Sequence, residues 1–169
     1  MKYWYDTEFI DDGKTIDLLS IGMLAEDGRE LYFENGLADT DKANDWVKAN
    51  VIPFLHACLT NGGDCQDHCP ALSPDQIRNE LIAFCDPGRY GKPEFWGYYS
   101  AYDHIALCQL FGPMINLPKG WPMYTRDIKQ WCDQLGNPKL PEQGKNEHHA
   151  LADARWNRIA WNFLNTYSR

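Results

Sequence analysis

The order of strand and helix signals along the chain constrains its fold more than any other feature. Three early segments have the composition of strands: residues 2–10, 16–25 and 30–34. The turn-forming run Glu26-Asp27-Gly28 separates the last two, which predicts an antiparallel meander. Helical periodicity follows over residues 39–59, and an aromatic strand pattern returns at residues 95–99. A meander followed by alternating helices and strands predicts an α/β fold with a mixed sheet flanked by helices.

Further helices are predicted downstream. Ser73-Pro74-Asp75-Gln76 has the composition of a capping box, with proline at the first helical position. Apolar spacing then predicts helices over residues 101–111, 125–135 and 147–167. The chain has 169 residues, so we expect a single domain over residues 1–169.

The charge balance narrows the function. The net charge is −8, which is the wrong sign for holding phosphates by bulk charge, so nucleic-acid binding would need a local source of positive potential. No secretory signal is visible at the N-terminus, and the longest apolar run, Leu18–Ala25, is too short to span a membrane. We therefore expect a cytoplasmic protein without a membrane partner, whose six cysteines are thiols or metal ligands.

Asp6 and Glu8 are two residues apart in an apolar strand pattern, so their side chains share a face. A strand end that reaches the surface would explain both carboxylates without any function. Asp103 lies on the same helical stripe as the apolar residues that follow it. Helix capping explains Asp103 equally well on this evidence.

Asp153 is harder to explain by structure alone. It shares a stripe with apolar residues of the last predicted helix, beyond that helix's expected first turn. Arg155 and Arg158 are on other sides of the helix. A buried, unpaired carboxylate costs several kcal/mol or becomes protonated. Divalent cations, Mg²⁺ or Mn²⁺, would resolve the conflict and supply the positive potential that the net charge lacks.

Two histidines precede Asp153 by five and four residues, His148 and His149. A neutral imidazole beside a carboxylate metal site is suited to take a proton from an attacking water. Either histidine could serve.

These motifs resemble a known family. Asp6-Thr7-Glu8, Tyr102-Asp103 and His148 with Asp153 five residues later, in this order, resemble the three motifs of the DEDDh 3′-to-5′ exonucleases. The longer runs Tyr5 to Ile10, Leu19 to Gly22 and Ala101 to Leu110 are most similar to the polyadenylate-specific exoribonuclease (RNase AS) group.

The resemblance implies a ribonuclease H-like fold and two-metal hydrolysis of phosphodiester bonds at an RNA 3′ end, with adenylate-rich ends as candidate substrates. It implies Asp6, Glu8, Asp103 and Asp153 as ligands of two Mg²⁺ or Mn²⁺ ions, and His148 as general base with His149 as the rival. It also implies a homodimer, for which Trp156 and Trp161 offer apolar surface.

Contacts to the terminal nucleotide are expected from Thr7 and Phe9, by the resemblance, and from the ring of Tyr99, by stacking. Tyr99 stands where many DEDDh enzymes have asparagine, four residues before the second-motif aspartate.

A separate cysteine and histidine cluster lies outside the matching motifs: His56, Cys58, Cys65, His68 and Cys69. Four of these, such as His56, Cys58, Cys65 and Cys69, could bind zinc, although the spacing is not the usual pair of Cys-x-x-Cys motifs. Free cysteines in a surface loop are the alternative.

Two alternatives to an exoribonuclease stay open at this point. The same chemistry could act on single-stranded DNA, because discrimination depends on contacts to the 2′-hydroxyl. The chain could also be a nucleic-acid-binding module that keeps the fold without catalysis.

Overall fold

The computed structural model describes residues 1–56, 70–144 and 147–167. Its centre is a six-stranded sheet in the order β4-β3-β2-β1-β5-β6. The strands are β1 (Lys2–Asp11), β2 (Ile16–Ala25), β3 (Glu30–Asn35), β4 (Ala71–Leu72), β5 (Glu94–Gly97) and β6 (Arg126–Asp127). Strands β1, β2 and β3 pair antiparallel, whereas β4, β5 and β6 each pair parallel with their neighbour. The mixed sheet predicted from the sequence is therefore confirmed.

Six α-helices accompany the sheet in the described part of the chain: α1 (Asp45–Asn50), α2 (Pro74–Phe84), α3 (Pro87–Tyr90), α4 (Ala101–Gln109), α5 (Ile128–Gln134) and α6 (Ala150–Tyr167). The capping box before α2 is present, with Ser73 accepting from the backbone N–H of Gln76 and the Gln76 side chain accepting from that of Ser73. None of the described helices is long and apolar enough to cross a membrane.

Two apolar clusters cover opposite faces of the sheet. One packs α2 and α4 against β1 and β2, around Tyr3, Tyr5 and Ile77. The other packs α5 and α6 against the face that carries Trp4 and Leu24. β1 is therefore covered by helices on both faces of the sheet.

Several predicted boundaries were wrong. The helix expected over residues 39–59 is a short α1 flanked by 3₁₀ turns at Thr40–Lys42 and Ile52–Phe54. The helix expected from residue 125 begins at Ile128, because the two residues before it pair with β5 as strand β6. Helix α6 begins at Ala150 rather than at residue 147, so both histidines precede it.

The tryptophans proposed for a dimer surface pack largely inside the chain. The Trp161 ring contacts those of Trp4 and Trp96, with centroid distances of 5.6 and 6.0 Å. The Trp156 ring meets that of Tyr98 at 5.1 Å, and its Nε1 donates to the carbonyl oxygen of Pro141. Both residues are half-buried, so these contacts within the chain take up part of the apolar surface on which the homodimer prediction relied.

Candidate active site

One cavity of about 310 Å³ brings together all four predicted carboxylates, Asp6, Glu8, Asp103 and Asp153. His148 also lines it. The acids come from three separate elements, β1, α4 and α6. Glu8, Asp103 and Asp153 are buried, and Asp6 is half-buried. Acids distant in sequence therefore gather at one inward point.

Glycine at position 22 lets α6 approach the sheet closely enough to deliver Asp153. Gly22 lies opposite Asp6 in the β1–β2 register. A Cβ on Gly22 would lie 2.2 Å from the backbone nitrogen of Leu151, well inside van der Waals contact. The Asn157 side chain adds a second link, because its Nδ2 donates to the carbonyl oxygen of Tyr5 at 2.9 Å. The start of α6 is thus fixed directly over Asp6.

Asp103 is fixed by Thr7 across the two elements. The backbone N–H and the hydroxyl of Thr7 both donate to Oδ1 of Asp103, at 2.8 and 2.7 Å. Asp103 does not cap α4: the capping residue is Ser100, whose side chain makes no cap hydrogen bond. The capping explanation for Asp103 is therefore wrong. Both donors of Thr7 are also engaged, so its expected contact with a nucleotide would require them to be shared.

Asp153 has two donors within its own neighbourhood. Its Oδ2 accepts from the backbone N–H of His148 at 2.9 Å, and its Oδ1 accepts from Nε2 of Gln143. Because α6 begins at Ala150, Asp153 lies in the first turn rather than beyond it. Local hydrogen bonding near the helix start therefore accounts for part of its position, contrary to the expectation from sequence.

Burial raises the pKa values of all four carboxylates, and repulsion from the other acids of the cavity adds to this at Asp6 and Glu8. Burial, followed by Asp103, Glu8 and Asp153, raises the pKa of Asp6 well above its usual range. Burial, followed by repulsion from Asp153 and Asp103, raises the pKa of Glu8 to about 8. Burial raises the pKa of Asp103 to about 6, although the hydrogen bonds from Thr7 act in the opposite direction. Burial also raises the pKa of Asp153. Without added positive charge, the cluster holds protons that free carboxyl groups would have lost at neutral pH.

The donor set fits a hard divalent cation. One ligand atom each from Glu8, His148 and Asp153 lies within 4.8 Å of the others. Carboxylate oxygens are the donors that Mg²⁺ and Mn²⁺ prefer. A cation would relieve the repulsion that raises the pKa values of the acids. The residues present therefore suit the metal that the sequence predicts.

The two histidines occupy different surroundings. The imidazole of His148 faces the acid cavity and also meets the ring of Trp46, at a centroid distance of 4.9 Å. The imidazole of His149 stacks on the ring of Tyr32 at 4.5 Å, with an interplanar angle of 20°. His149 does not line the acid cavity. Its surroundings differ from those expected of a proton acceptor in that cavity.

Aromatic side chains form the outer wall of the cavity. Phe9 stacks on Tyr102 with ring centroids 5.8 Å apart and planes at 13°, and Tyr98 and Tyr99 complete the wall. Tyr99 is 63% exposed. Tyr99 and His148 also have left-handed φ values of 55° and 69°, which are uncommon outside glycine. Strained backbone of this kind often accompanies functional sites.

Several contributors were missed from the sequence. Trp46, Gln143 and Tyr32 reach the site by tertiary packing, and no local spacing links them to the acids. The proposed zinc cluster lies mostly at residues 57–69, outside the described residues. Of its members, only His56 is described, and it is exposed.

The chain matches a known protein family over nearly its whole length. A family model described as the 3′-5′ exoribonuclease Rv2179c-like domain matches residues 1–165. The chain belongs to this family. Two curated relatives from Mycobacterium tuberculosis, 3′-5′ exoribonuclease Rv2179c (strain H37Rv) and 3′-5′ exoribonuclease MT2234.1 (strain CDC 1551), are each 42% identical over 159 residues. Each alignment covers 92% of this chain and 88% of the relative.

A solved structure has the same fold as this chain. The nuclease domain of 3′hExo, a DEDDh family member crystallised with rAMP, matches with a TM-score of 0.52 and 14% identity. The match covers 98% of this chain and 92% of that one. The predicted ribonuclease H-like fold is therefore confirmed.

Proposed function

We propose that the chain is a metal-dependent 3′-5′ exoribonuclease that releases nucleoside 5′-monophosphates from RNA 3′ ends. The gathering of Asp6, Glu8, Asp103 and Asp153 with His148 in one cavity carries this proposal. The names of the family and of the curated relatives support the reaction and the RNA substrate. We assign residues 1–169 to one exonuclease domain, since the family model spans nearly all of them.

Two Mg²⁺ or Mn²⁺ ions fit the reaction better than one, because an in-line displacement develops charge on both the attacking and the leaving oxygen. Asp6, Glu8, Asp103 and Asp153 would hold them. When bound, the ions would offset the charge of the scissile phosphate and make a water molecule more acidic. Bound cations would offset the repulsion that raises the pKa values of Asp6 and Glu8, which would favour the metal-bound state.

His148 is the proposed general base. Its ring lines the acid cavity, and its backbone N–H is tied to Asp153 at 2.9 Å. A ring nitrogen of His148 lies within 4.8 Å of a carboxylate oxygen of Glu8 and of Asp153, so the imidazole is beside the proposed metal ligands. His149 is assigned a structural role, because its ring stacks on Tyr32 and lies off the cavity.

Phe9 and Tyr99 are the proposed nucleotide contacts. Both line the cavity, and Tyr99 presents an exposed ring at its mouth. Stacking is sequence-tolerant because every base has a π-face. The preference for adenylate-rich ends, as in the RNase AS group, therefore rests on family resemblance rather than on these rings. The homodimer rests on the same resemblance, and the cytoplasmic location on the sequence pattern.

The proposal is tested with 5′-labelled RNA incubated with Mg²⁺, Mn²⁺ or EDTA. An oligoadenylate, a mixed-sequence RNA, a 3′-phosphorylated RNA and a DNA of equal length are compared. We expect stepwise shortening from the 3′ end of RNA, dependent on metal and blocked by the 3′-phosphate. Faster loss of the DNA than of the RNA would reassign the substrate, and no turnover of any oligonucleotide would favour the non-catalytic binding module.

Two variants link activity to the cavity. Asp153→Asn and His148→Ala should each lower turnover by about 1,000-fold or more, because removing any one member of such a catalytic set costs most of the acceleration. Asp17→Asn is the matched control, since Asp17 is an exposed carboxylate on β2 that does not line the cavity. A His148→Ala protein with native turnover would remove that residue from the mechanism.

A further inference from the structure

Among the described residues, a further buried acid, Glu34, lies outside the cavity of the four acids. Glu34 on β3 is only 1% exposed, yet it does not line the cavity with the four acids. Its Oε1 accepts from the hydroxyl of Tyr32 at 2.6 Å, and both of its oxygens lie 3.0 Å from the backbone nitrogen of His56. A buried carboxylate is retained at a cost unless its hydrogen bonds are satisfied. Glu34 takes no part in the proposed reaction. Its role must therefore be sought in the residues that it contacts.

Tyr32 connects Glu34 to the histidine pair. The Tyr32 ring stacks on the imidazole of His149, with centroids 4.5 Å apart. Burial, followed by the hydrogen bond to Glu34, raises the pKa of Tyr32, so its phenol stays a donor at working pH. Nδ1 of His149 is buried and has no hydrogen-bond partner among the described residues. Because Nδ1 makes no such bond, the stack on Tyr32 is a contact that orients the His149 ring.

His148 is contacted by the segment that runs from Trp46 to His56, and Glu34 accepts a hydrogen bond from the end of the same segment. Trp46 on α1 meets the ring of His148 at 4.9 Å and 81°. The segment that carries Trp46 continues to His56, whose N–H donates to Glu34. The contacts of both histidines thus lead back to one buried carboxylate. Because His148 has a φ of 69°, an uncommon conformation, its neighbours must hold it in place.

We propose that Glu34 and Tyr32 are positioning residues for the His148–His149 pair. Glu34 fixes the phenol of Tyr32, the Tyr32 ring fixes His149, and His149 fixes the backbone that presents His148 to the acid cavity. This inference rests on the proposed function, in which His148 is the base. It adds that the second histidine and a distant acid set the geometry of that base.

The test compares Tyr32→Leu, Tyr32→Phe and His149→Phe. Tyr32→Leu removes the stack, Tyr32→Phe removes only the hydroxyl, and His149→Phe keeps an aromatic ring on Tyr32 while removing both ring nitrogens. Phe33→Leu is the matched control, because Phe33 is a half-buried aromatic on the opposite face of the same strand.

Steady-state kinetics give the first readout. Tyr32→Leu should lower kcat by about tenfold or more with KM within about twofold, since small misplacements of a catalytic group have effects of this size. Tyr32→Phe should lose less, and His149→Phe should keep most of the native kcat. Phe33→Leu should lower Tm without lowering kcat. Native kcat in Tyr32→Leu, or equal losses of kcat in Tyr32→Leu and Phe33→Leu, would overturn the proposal.

Histidine NMR gives a readout that does not require activity. The chain has five histidines, so ring C–H signals of labelled histidine can be assigned from single variants. Tyr32→Leu should shift the signals of both His148 and His149 and leave that of His104 unchanged. A shift confined to His149 would contradict the proposal. If wild-type protein lacks nuclease activity, the proposed function fails, while these shifts still decide whether Tyr32 positions His148.

Discussion

Thr7 gives Asp103 two hydrogen bonds to a single oxygen, from its backbone N–H at 2.8 Å and from its hydroxyl at 2.7 Å. The residue between the two β1 acids therefore orients the acid supplied by α4. Its donors also counteract the effect of burial on the pKa of Asp103. Thr7 thus links the first motif to the second, because it orients one of the four proposed metal ligands.

Replacing Thr7 with valine should weaken the site while keeping its shape. Hydrogen bonds to charged groups contribute about 1.5–3 kcal/mol, so we expect a comparable loss in the free energy of unfolding. Loss of a group that orients a metal ligand typically lowers metal affinity or activity by about 10- to 100-fold. We therefore expect calorimetry to show a loss of Mn²⁺ affinity of about this size in Thr7→Val. Thr7→Ser, which keeps the hydroxyl, should retain most of the affinity. Equal Mn²⁺ affinity for Thr7→Val and wild type would show that the hydroxyl does not orient Asp103.

Gly22→Ala should move the start of α6 away from Asp6. The added methyl group would lie 2.2 Å from the backbone nitrogen of Leu151, so the helix must shift. Overpacking of this kind costs about 1–3 kcal/mol or more, and the displaced Asp153 should lower turnover by about 100-fold. Chemical denaturation and the RNA assay measure the two effects.

Gly36→Ala is the control for Gly22→Ala. The nearest atom to its added Cβ is 3.5 Å away, which is ordinary contact. This variant should keep native turnover. If both glycine variants behaved alike, the close approach at Gly22 would not be what places Asp153.

Metal-free protein should be destabilised by Glu8 as the pH rises. Burial and the other acids raise the pKa of Glu8 from 4.5 to about 8 in the folded state. Its favourable contribution is therefore complete below about pH 4.5 and is lost as the pH rises through about 8. In EDTA, Glu8→Gln should match wild type near the lower pH. It should be more stable by at least about 1.4 kcal/mol, equivalent to one pKa unit, at the higher pH.

Adding Mg²⁺ or Mn²⁺ should reverse that order, because the cation binds the charged carboxylate of the wild type more tightly than the neutral amide. Proton release on metal binding near neutral pH should accompany the change. Denaturation curves across this pH range measure the first effect, and calorimetry in buffers of different ionisation enthalpy measures the second. A wild-type protein whose stability relative to Glu8→Gln does not depend on pH or metal would contradict the assignment.

Tyr99→Ala should weaken RNA binding more than catalysis. Stacking of a base on an aromatic ring contributes about 1–3 kcal/mol, so KM should rise by about tenfold while kcat stays within about twofold. Tyr124→Ala is the control, because Tyr124 is 57% exposed and does not line the acid cavity. Equal KM values for the two variants would remove Tyr99 from the nucleotide contacts.

The sequence predicted the sheet and the four acids because their signals are local. Strand-forming composition and the turn at residues 26–28 marked β1 to β3, and carboxylates stood out where apolar side chains were expected, at Asp6, Glu8 and Asp153. The two-residue strand β6 was missed because pairing with β5, and not its own composition, makes it a strand. Trp46, Tyr32 and Gln143 were missed for the same reason: their roles arise only when distant segments pack together.

The roles of the two histidines could not be separated by spacing alone. His148 and His149 are adjacent, and either one precedes Asp153 by a plausible interval. What distinguishes the two histidines is where α6 begins and which aromatic ring each imidazole contacts. The ligand and base assignments themselves stay predictions until metal and variants are examined.

Anomalous diffraction from a crystal soaked in Mn²⁺ tests the central claim most directly. The account predicts two manganese peaks in the cavity, bound by oxygens of Asp6, Glu8, Asp103 and Asp153 at distances of about 2.0–2.3 Å. Manganese peaks only elsewhere, or a crystal soaked to saturation in Mn²⁺ in which these four side chains bind no ion, would contradict the account.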